Sequence, residues 1–263
     1  MTKILFLGDI CGSPGREAVL KFLPDLILAK SPDLVIANGE NASHGDGVTP
    51  EHLPELRQAG IDFFTGGNHS FSKKHRLVLE AADPLAIRPL NFPNGAPGRG
   101  YRIVTSRDGK RVLVVNLHGR AFMREHVDCP FRAIEELLTT VPTTDYDFAL
   151  VDYHGEATSE KQAMYYHLRQ FPKVQILLGT HTHVQTNDAR VEPETGLLYL
   201  TDAGMCGAYR SVIGLKPEPV LERMISQLPY EKAYDASGGL QFNACLCTVG
   251  VTKNQIELIN LYE

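Results

Sequence analysis

Thr65-Gly66-Gly67-Asn68-His69 follows the largely apolar run Ile61 to Phe64, in which Asp62 is the one polar residue, and its reading organises the rest of the chain. The run has the length and composition of a buried strand, and the two glycines let the backbone turn sharply where it ends. Asn68 and His69 are therefore expected at a strand terminus. In open α/β sheets ligands collect at the carboxyl ends of strands, and here one apolar run after another ends in a side chain able to hold a metal. Gly8-Asp9 closes Ile4 to Leu7, and Asn38-Gly39-Glu40-Asn41 closes Leu34 to Ala37. Tyr153-His154-Gly155 closes Phe148 to Asp152, and Gly179-Thr180-His181-Thr182-His183 closes Val174 to Leu178.

Outward from these strand ends the chain alternates strand and helix. Cys11 to Arg16 reads as a turn leading into a helix with Val19, Leu20, Phe22, Leu23, Leu26 and Ile27 apolar, which Pro24 should disturb. A glycine-containing turn between strand and helix invites a phosphate-loop reading, but neither GxxxxGK(S/T) nor GxGxxG is present. Helices are expected over Pro50 to Gln58, Lys73 to Ala82, Pro130 to Leu138 and Ser159 to Phe171. Asp83 to Gly100, with four prolines, reads as a long irregular surface loop. Tyr101 to Thr105 and Val112 to Asn116 form a hairpin across Asp108-Gly109, so the sheet should stop being purely parallel. The last third turns β-rich, with strands at Leu197 to Thr201, Gln241 to Val251 and Gln255 to Leu261, the last two joined at Lys253-Asn254. No repeat, low-complexity tail or linker divides the chain, and residues 1–263 are expected to form a single domain.

At 263 residues and 43% hydrophobic content the chain can bury a sizeable core. A formal charge of -5 gives no general footprint for a nucleic-acid polymer, while a small anionic substrate held by metals remains allowed. Neither a secretory leader nor a run approaching a membrane span is apparent, so a cytoplasmic protein without a membrane partner is expected. Five cysteines, at positions 11, 129, 206, 245 and 247, form no CxxC pair and argue against a disulfide framework. Cys245 and Cys247 lie two apart in a strand pattern and should share a core face.

Each candidate ligand also has an ordinary reading. Asp9 could cap the following helix, and turn chemistry alone could account for Asn41 and Asn68. His69 could be a surface histidine, and His154 taken alone is open in the same way. Glu40, a carboxylate between Gly39 and Asn41, is harder to dismiss. His181 and His183 carry the strongest signal, because two imidazoles two residues apart can point the same way from an extended segment. Imidazole mixed with carboxylate and amide oxygen suits iron, manganese or zinc better than calcium. Among the other histidines, His44 and His118 stand out only because they sit in glycine-containing loops.

The order GD, GEN, GGNH, HG, GTHTH resembles the calcineurin-like metallophosphoesterase superfamily, and most closely its YmdB-like branch of bacterial 2′,3′-cyclic-nucleotide phosphodiesterases. The resemblance spans nearly the whole chain. It includes Ser13-Pro-Gly-Arg16, Gly119-Arg120, Glu156-Ala-Thr-Ser-Glu-Lys161 and Thr201-Asp-Ala-Gly-Met-Cys-Gly207. The wider superfamily opens with Asp-x-His, where this chain has Asp9-Ile10-Cys11, and uses an aspartate where this chain has Glu40. Cys11 is accordingly given no ligand role, and Asn41 takes the vacant place.

What the resemblance implies is a four-layer α/β/β/α sandwich of two mixed sheets and a centre for two transition-metal ions, iron first, with manganese or zinc as alternatives. Asp9, Asn41 and His183 would hold one metal, Asn68, His154 and His181 the other, with Glu40 and a solvent hydroxide bridging them. His69 would serve catalysis as proton donor or charge stabiliser. The implied reaction is hydrolysis of a 2′,3′-cyclic nucleotide to a nucleoside monophosphate. Alternatives are a broader phosphatase, a phosphodiesterase for 3′,5′-cyclic nucleotides or RNA ends, and a regulatory nucleotide- or RNA-binding protein with little turnover. A homo-oligomer is expected, with Asp83 to Gly100 and Val212 to Lys232 as surface of no assigned role.

Overall fold

The computed structural model of the chain describes residues 1–250 and 253–263. In chain order come β1 (Thr2–Leu7), β2 (Asp9–Ile10), α1 (Gly12–Lys30), β3 (Leu34–Asn38), α2 (Leu53–Gln58), β4 (Phe63–Thr65), α3 (Lys73–Leu79), β5 (Tyr101–Thr105) and β6 (Arg111–His118). There follow α4 (Pro130–Thr140), β7 (Phe148–His154), α5 (Thr158–Leu168), β8 (Val174–Thr180), β9 (Arg190–Val191), β10 (Leu198–Leu200), β11 (Met205–Ala208), α6 (Pro217–Ser226), β12 (Leu240–Val249) and β13 (Gln255–Tyr262).

Alternation along β1 shows how the layers are made. Ile4 and Phe6 enter one core, Leu5 and Leu7 another, and all four are fully buried. A strand covered on both faces needs an apolar residue at every position, so its sequence is a continuous run. The first sheet runs β2-β11-β12-β1-β3-β4, with β13 on the other edge of β12; β1, β3 and β4 are parallel, while β12 is antiparallel to β1, β11 and β13. The second runs β5-β6-β7-β8-β10-β9, parallel from β6 to β10 with an antiparallel strand at each edge.

Three apolar clusters hold four layers together. Between the sheets, Ile4, Phe6, Ile36, Phe63, Cys245 and Cys247 meet Val112, Val114, Leu150, Ile176 and Leu178. Outside the first sheet, Ala18, Val19, Leu23 and Leu26 of α1 cover Leu5, Leu7, Val35 and Phe242. Outside the second, Ile134, Leu137 and Leu138 of α4 and Met164, Tyr165 and Leu168 of α5 cover Leu113, Val115 and Val151. The fold is the expected α/β/β/α sandwich with two mixed sheets. Cys245 and Cys247 are small core residues, and all five cysteines are free.

Local departures from the sequence reading have physical causes. The turn expected at Cys11 to Arg16 is itself the first turn of α1, with Gly15 N–H donating to the Cys11 carbonyl at 3.0 Å. Pro14 fits there because first-turn N–H groups have no intrahelical partner. Pro24 does not end α1; the carbonyl it leaves free belongs to Leu20, a partly exposed residue whose surroundings water can reach. Helix α2 starts at Leu53, three residues later than expected, and α3 ends at Leu79. The 83–100 segment carries no helix or named strand, yet it is not all surface: Ala86 bridges Phe64 in parallel, and Ala86, Ile87, Arg88 and Asn91 are buried. Strand β12 ends at Val249, and the expected terminus at Val251 lies outside the described residues. Strands β2, β9 and β11 and helix α6 were not expected. No helix among the described residues is long and apolar enough to cross a membrane.

One buried histidine gives the fold an acid sensitivity. The His75 ring lies against Val48, with Nδ1 2.7 Å from the carbonyl oxygen that accepts its proton, and burial holds its pKa below the ordinary 6.5. As pH falls through that ordinary value the unfolded chain takes up a proton that the folded chain refuses, so stability declines, by up to about 1.4 kcal/mol per pH unit. Denaturant titrations of wild type and His75→Gln should show a shallower decline for the variant below pH ~6.5. Parallel decline would remove His75 as a source of the sensitivity.

Candidate metal centre

The carboxyl ends of β1, β3, β4, β7 and β8 meet at one edge of the sandwich, and the five polar strand ends converge there. Glu40, just past β3, is 1% exposed and sits at the middle. Its Oε2 lies 3.1 Å from His154 Nε2, and its Oε1 accepts a hydrogen bond from Asn41 Nδ2 at 2.9 Å and lies 3.3 Å from His69 Nδ1. On one side His154 Nε2 is 3.0 Å from Asn68 Oδ1 and 3.1 Å from His181 Nδ1. On the other, His183 Nε2 is 3.3 Å from Asn41 Nδ2 and 3.7 Å from Asp9 Oδ1. All eight residues singled out in the sequence are thus brought together, in two groups joined by Glu40.

Several features fit these groups to cations. Glu40, His154 and His181 each offer a donor atom, all within 4.8 Å of one another. Asp9 Oδ1 is buried without a hydrogen-bond partner, a costly arrangement for a carboxylate oxygen unless a positive group faces it. A β-carbon on Gly67 would stand 2.0 Å from Glu40 Oε2 and 2.5 Å from His154 Nε2, so the glycine is what lets the β4 loop close over these donors. The Asn41 amide turns its nitrogen to Glu40 and His183; a half-turn exchanges it with the near-isosteric oxygen a cation requires.

Electrostatics couples the same atoms. Burial opposes charge on Glu40, yet the adjacent His154 outweighs it and holds the carboxyl well below the usual range. Burial likewise lowers the His154 pKa, and Glu40 outweighs it, raising it to about 9. Burial and the neighbouring His154 push His181 down to about 3. His183 is raised against its burial by Asp9 and Cys11.

The backbone around these side chains is tightly specified. His181 and His183 have φ of 103° and 64°, left-handed conformations that cost L-residues roughly 1–3 kcal/mol each and persist at functional sites when the surroundings impose them. Asp9 Oδ2 accepts the His181 N–H at 3.1 Å. Lys161 and Asp202, 1% and 0% exposed, form a buried ion pair at 2.7 Å. The Lys161 ammonium also donates to the Thr180 carbonyl at 2.9 Å, and Asp202 accepts the Thr182 N–H at 3.1 Å, which fixes both neighbours of His181. His154 Nδ1 is 2.9 Å from Thr180 Oγ1, which donates to Asp152 Oδ1 at 2.7 Å, and Asn38 donates to the other Asp152 oxygen at 3.0 Å. Arg16 of α1 bonds the Ala42 carbonyl at 2.6 Å and Glu55 at 2.7 Å, anchoring the loop after Glu40.

His44 and His118 fall outside the centre. His44 lies edge-on to His52 in a neighbouring surface pocket. His118 is buried behind His154, its Nδ1 donating to the Gly119 carbonyl at 2.6 Å. Cys11 lines the cleft beside Ile213. Glu156, 3.2 Å from His181 Nε2, and the Lys161–Asp202 pair were not given roles from sequence, although all three residues lie in the motifs that carry the resemblance.

Two mixed sheets face to face, with polar groups converging at their carboxyl edge, define a class. Calcineurin-like phosphoesterase YfkN from Bacillus subtilis superposes with a TM-score of 0.50 at 13% identity, covering 100% of this chain and 90% of that one, so the fold is the calcineurin-like phosphoesterase fold. The YmdB-like protein family matches residues 5–261, and the chain belongs to that family. It is 41% identical over 228 residues, 86% of this chain and 84% of the relative, to a Bacillus subtilis (strain 168) protein named 2′,3′-cyclic-nucleotide 2′-phosphodiesterase. The crystal structure of a novel phosphatase from Mycoplasma pneumoniae superposes with a TM-score of 0.89 at 32% identity, over 100% of this chain and 94% of that one.

Proposed function

We propose that the protein is a metal-dependent phosphodiesterase that opens 2′,3′-cyclic nucleotides to nucleoside monophosphates, with residues 1–263 as its catalytic domain. The observation that carries this reading is the Glu40 carboxylate, which faces His154 with one oxygen and Asn41 with the other, so that it joins two separate groups of ligand-type atoms. In this reading Asp9, Asn41 and His183 would hold one transition-metal ion and Asn68, His154 and His181 a second, with Glu40 contributing a carboxylate between the two groups. Such ions, iron first and manganese or zinc next, would supply a water activated near neutral pH and positive charge for phosphoryl oxygens.

The chain's own part is positioning and proton movement. Neighbouring groups lock the imidazoles: buried Thr180 orients His154, while the Ile213 carbonyl, 2.8 Å from Nδ1, orients His183 and leaves its Nε2 facing Asp9 and Asn41. His69 is more exposed than the proposed ligands of β7 and β8 and lines the cleft, where it can give a proton to the departing ribose oxygen. A cyclic diester suits this site, since it is a monoanion with one leaving oxygen tethered in place.

Elemental analysis of the protein purified without chelator, beside His181→Ala/His183→Ala, tests the reading together with turnover of 2′,3′- and 3′,5′-cyclic AMP. About two transition-metal ions per chain are expected, absent from the double variant, with turnover confined to the 2′,3′ substrate. Metal-free protein that binds the cyclic nucleotide and returns it intact would make the protein a binder. Equal turnover of both isomers would make it a broader phosphodiesterase.

A further inference from the structure

The cleft has a second wall, built from the segment that follows α6. Tyr230, Lys232 and Tyr234 reach it from there and, with Ile213 and Leu215, enclose about 370 Å³ above Glu40, Asn41, His69, His181 and His183. This strap is fastened at several points. The Lys216 N–H donates to the Ala233 carbonyl at 2.9 Å, and the Lys216 ammonium pairs with Asp235 at 3.3 Å. Arg223 of α6 stacks over the Tyr230 ring at 5.4 Å. The Tyr234 ring fills the space where a side chain on Gly12 would stand, with a β-carbon there coming within 2.6 Å of the ring.

These anchors put the Lys232 ammonium beside the candidate metal centre. A β-carbon on Gly45 would lie 3.1 Å from the Tyr234 hydroxyl, 3.6 Å from Lys232 Nζ and 3.8 Å from Asn41 Oδ1, so the three polar atoms surround one small space. Gly45 has a φ of +80°, and its missing side chain keeps that space open. Lys232 forms no ion pair among the described residues, and Asp235 on the same strap is paired with Lys216 at 3.3 Å. A lysine aimed at a cation-binding centre gains nothing from that centre directly. It is stabilised when an anion lies between them, which is the position of a substrate phosphoryl group.

We infer that Lys232 binds a non-bridging phosphoryl oxygen of the substrate from the strap side of the cleft, next to Asn41, and that Tyr234 and the space left open at Gly45 place it there. This rests on the phosphodiesterase reading, and two readouts keep the two apart. In metal-loaded Lys232→Met, KM for 2′,3′-cyclic AMP should rise at least about tenfold, as for loss of a charge-assisted hydrogen bond, while kcat changes less than about threefold and metal content stays at the wild-type value. Lys232→Arg should recover most of the loss. Orthophosphate binding, followed by isothermal titration of the metal-loaded protein, should weaken by a similar factor in Lys232→Met. An unchanged KM together with unchanged orthophosphate affinity overturns the inference, and so does metal loss in the variant. If the wild type turns over no phosphodiester, the functional reading fails, and the orthophosphate titration alone decides the role of Lys232.

Discussion

His69→Ala is expected to lower kcat for 2′,3′-cyclic AMP by about 10²–10⁴-fold, the range for loss of a general acid, with metal content unchanged. The separation of the two effects follows from geometry. The His69 side chain is 33% exposed and reaches Glu40 through Nδ1 at 3.3 Å, while its backbone N–H makes its own 3.3 Å bond to the other Glu40 oxygen. Alanine removes the ring and keeps the backbone bond, so Glu40 and Asn68 hold their places. A substrate with a 4-nitrophenolate leaving group, which departs without a proton, should lose much less than the cyclic nucleotide. Equal losses on both substrates would make His69 an electrostatic stabiliser. Loss of metal would place it among the ligands instead.

Lys161→Met should cost about 3–5 kcal/mol in chemical denaturation, because it leaves the Asp202 carboxylate buried and without its counter-charge. The effect reaches the site, since Lys161 and Asp202 between them bond Thr180 and Thr182 on either side of His181. Asp202 also accepts the Gly204 N–H at 2.9 Å, so the unpaired charge stays tied to the backbone. Adding Asp202→Asn to Lys161→Met removes the stranded charge and should restore part of the stability, but little activity, because the Thr180 carbonyl still lacks its donor. A single-variant loss below about 1 kcal/mol would show that water reaches Asp202 and that the pair behaves like a surface ion pair.

The strand ends were legible because burial on both faces writes a strand as a mostly apolar run, interrupted here only by Asp62, Asp152 and Gln175, and each run stops where the cleft begins. That is why Asp9, Glu40, Asn41, Asn68, His69, His154, His181 and His183 could be singled out before any coordinates. Contacts between residues far apart in the chain left no such trace: Lys161 and Asp202 are 41 positions apart, and neither looks unusual alone. Helix α6 lies in the segment Val212 to Lys232 left without a role; it opens on Pro217 and Pro219, which a helix interior excludes but its first turn tolerates. Strand β11 is four residues long and contains a glycine, so no periodicity could develop. Lys232 was hidden for another reason: its surroundings are made by Gly45 and Asn41, which the strap meets only in three dimensions.

The place of β1 in the first sheet has a consequence for synthesis. It pairs with β3 on one edge and with β12 on the other, in register from Thr2 opposite Val249 to Leu7 opposite Ala244. While the ribosome is still making the segments up to β12, one edge of β1 lacks its native partner, and such an open strand edge is a template for wrong pairing. Contacts this distant in sequence also close slowly. The nascent chain therefore carries a sticky strand, β1, through most of its translation, and the position of Asp9 is set only after all the other candidate ligands have been made.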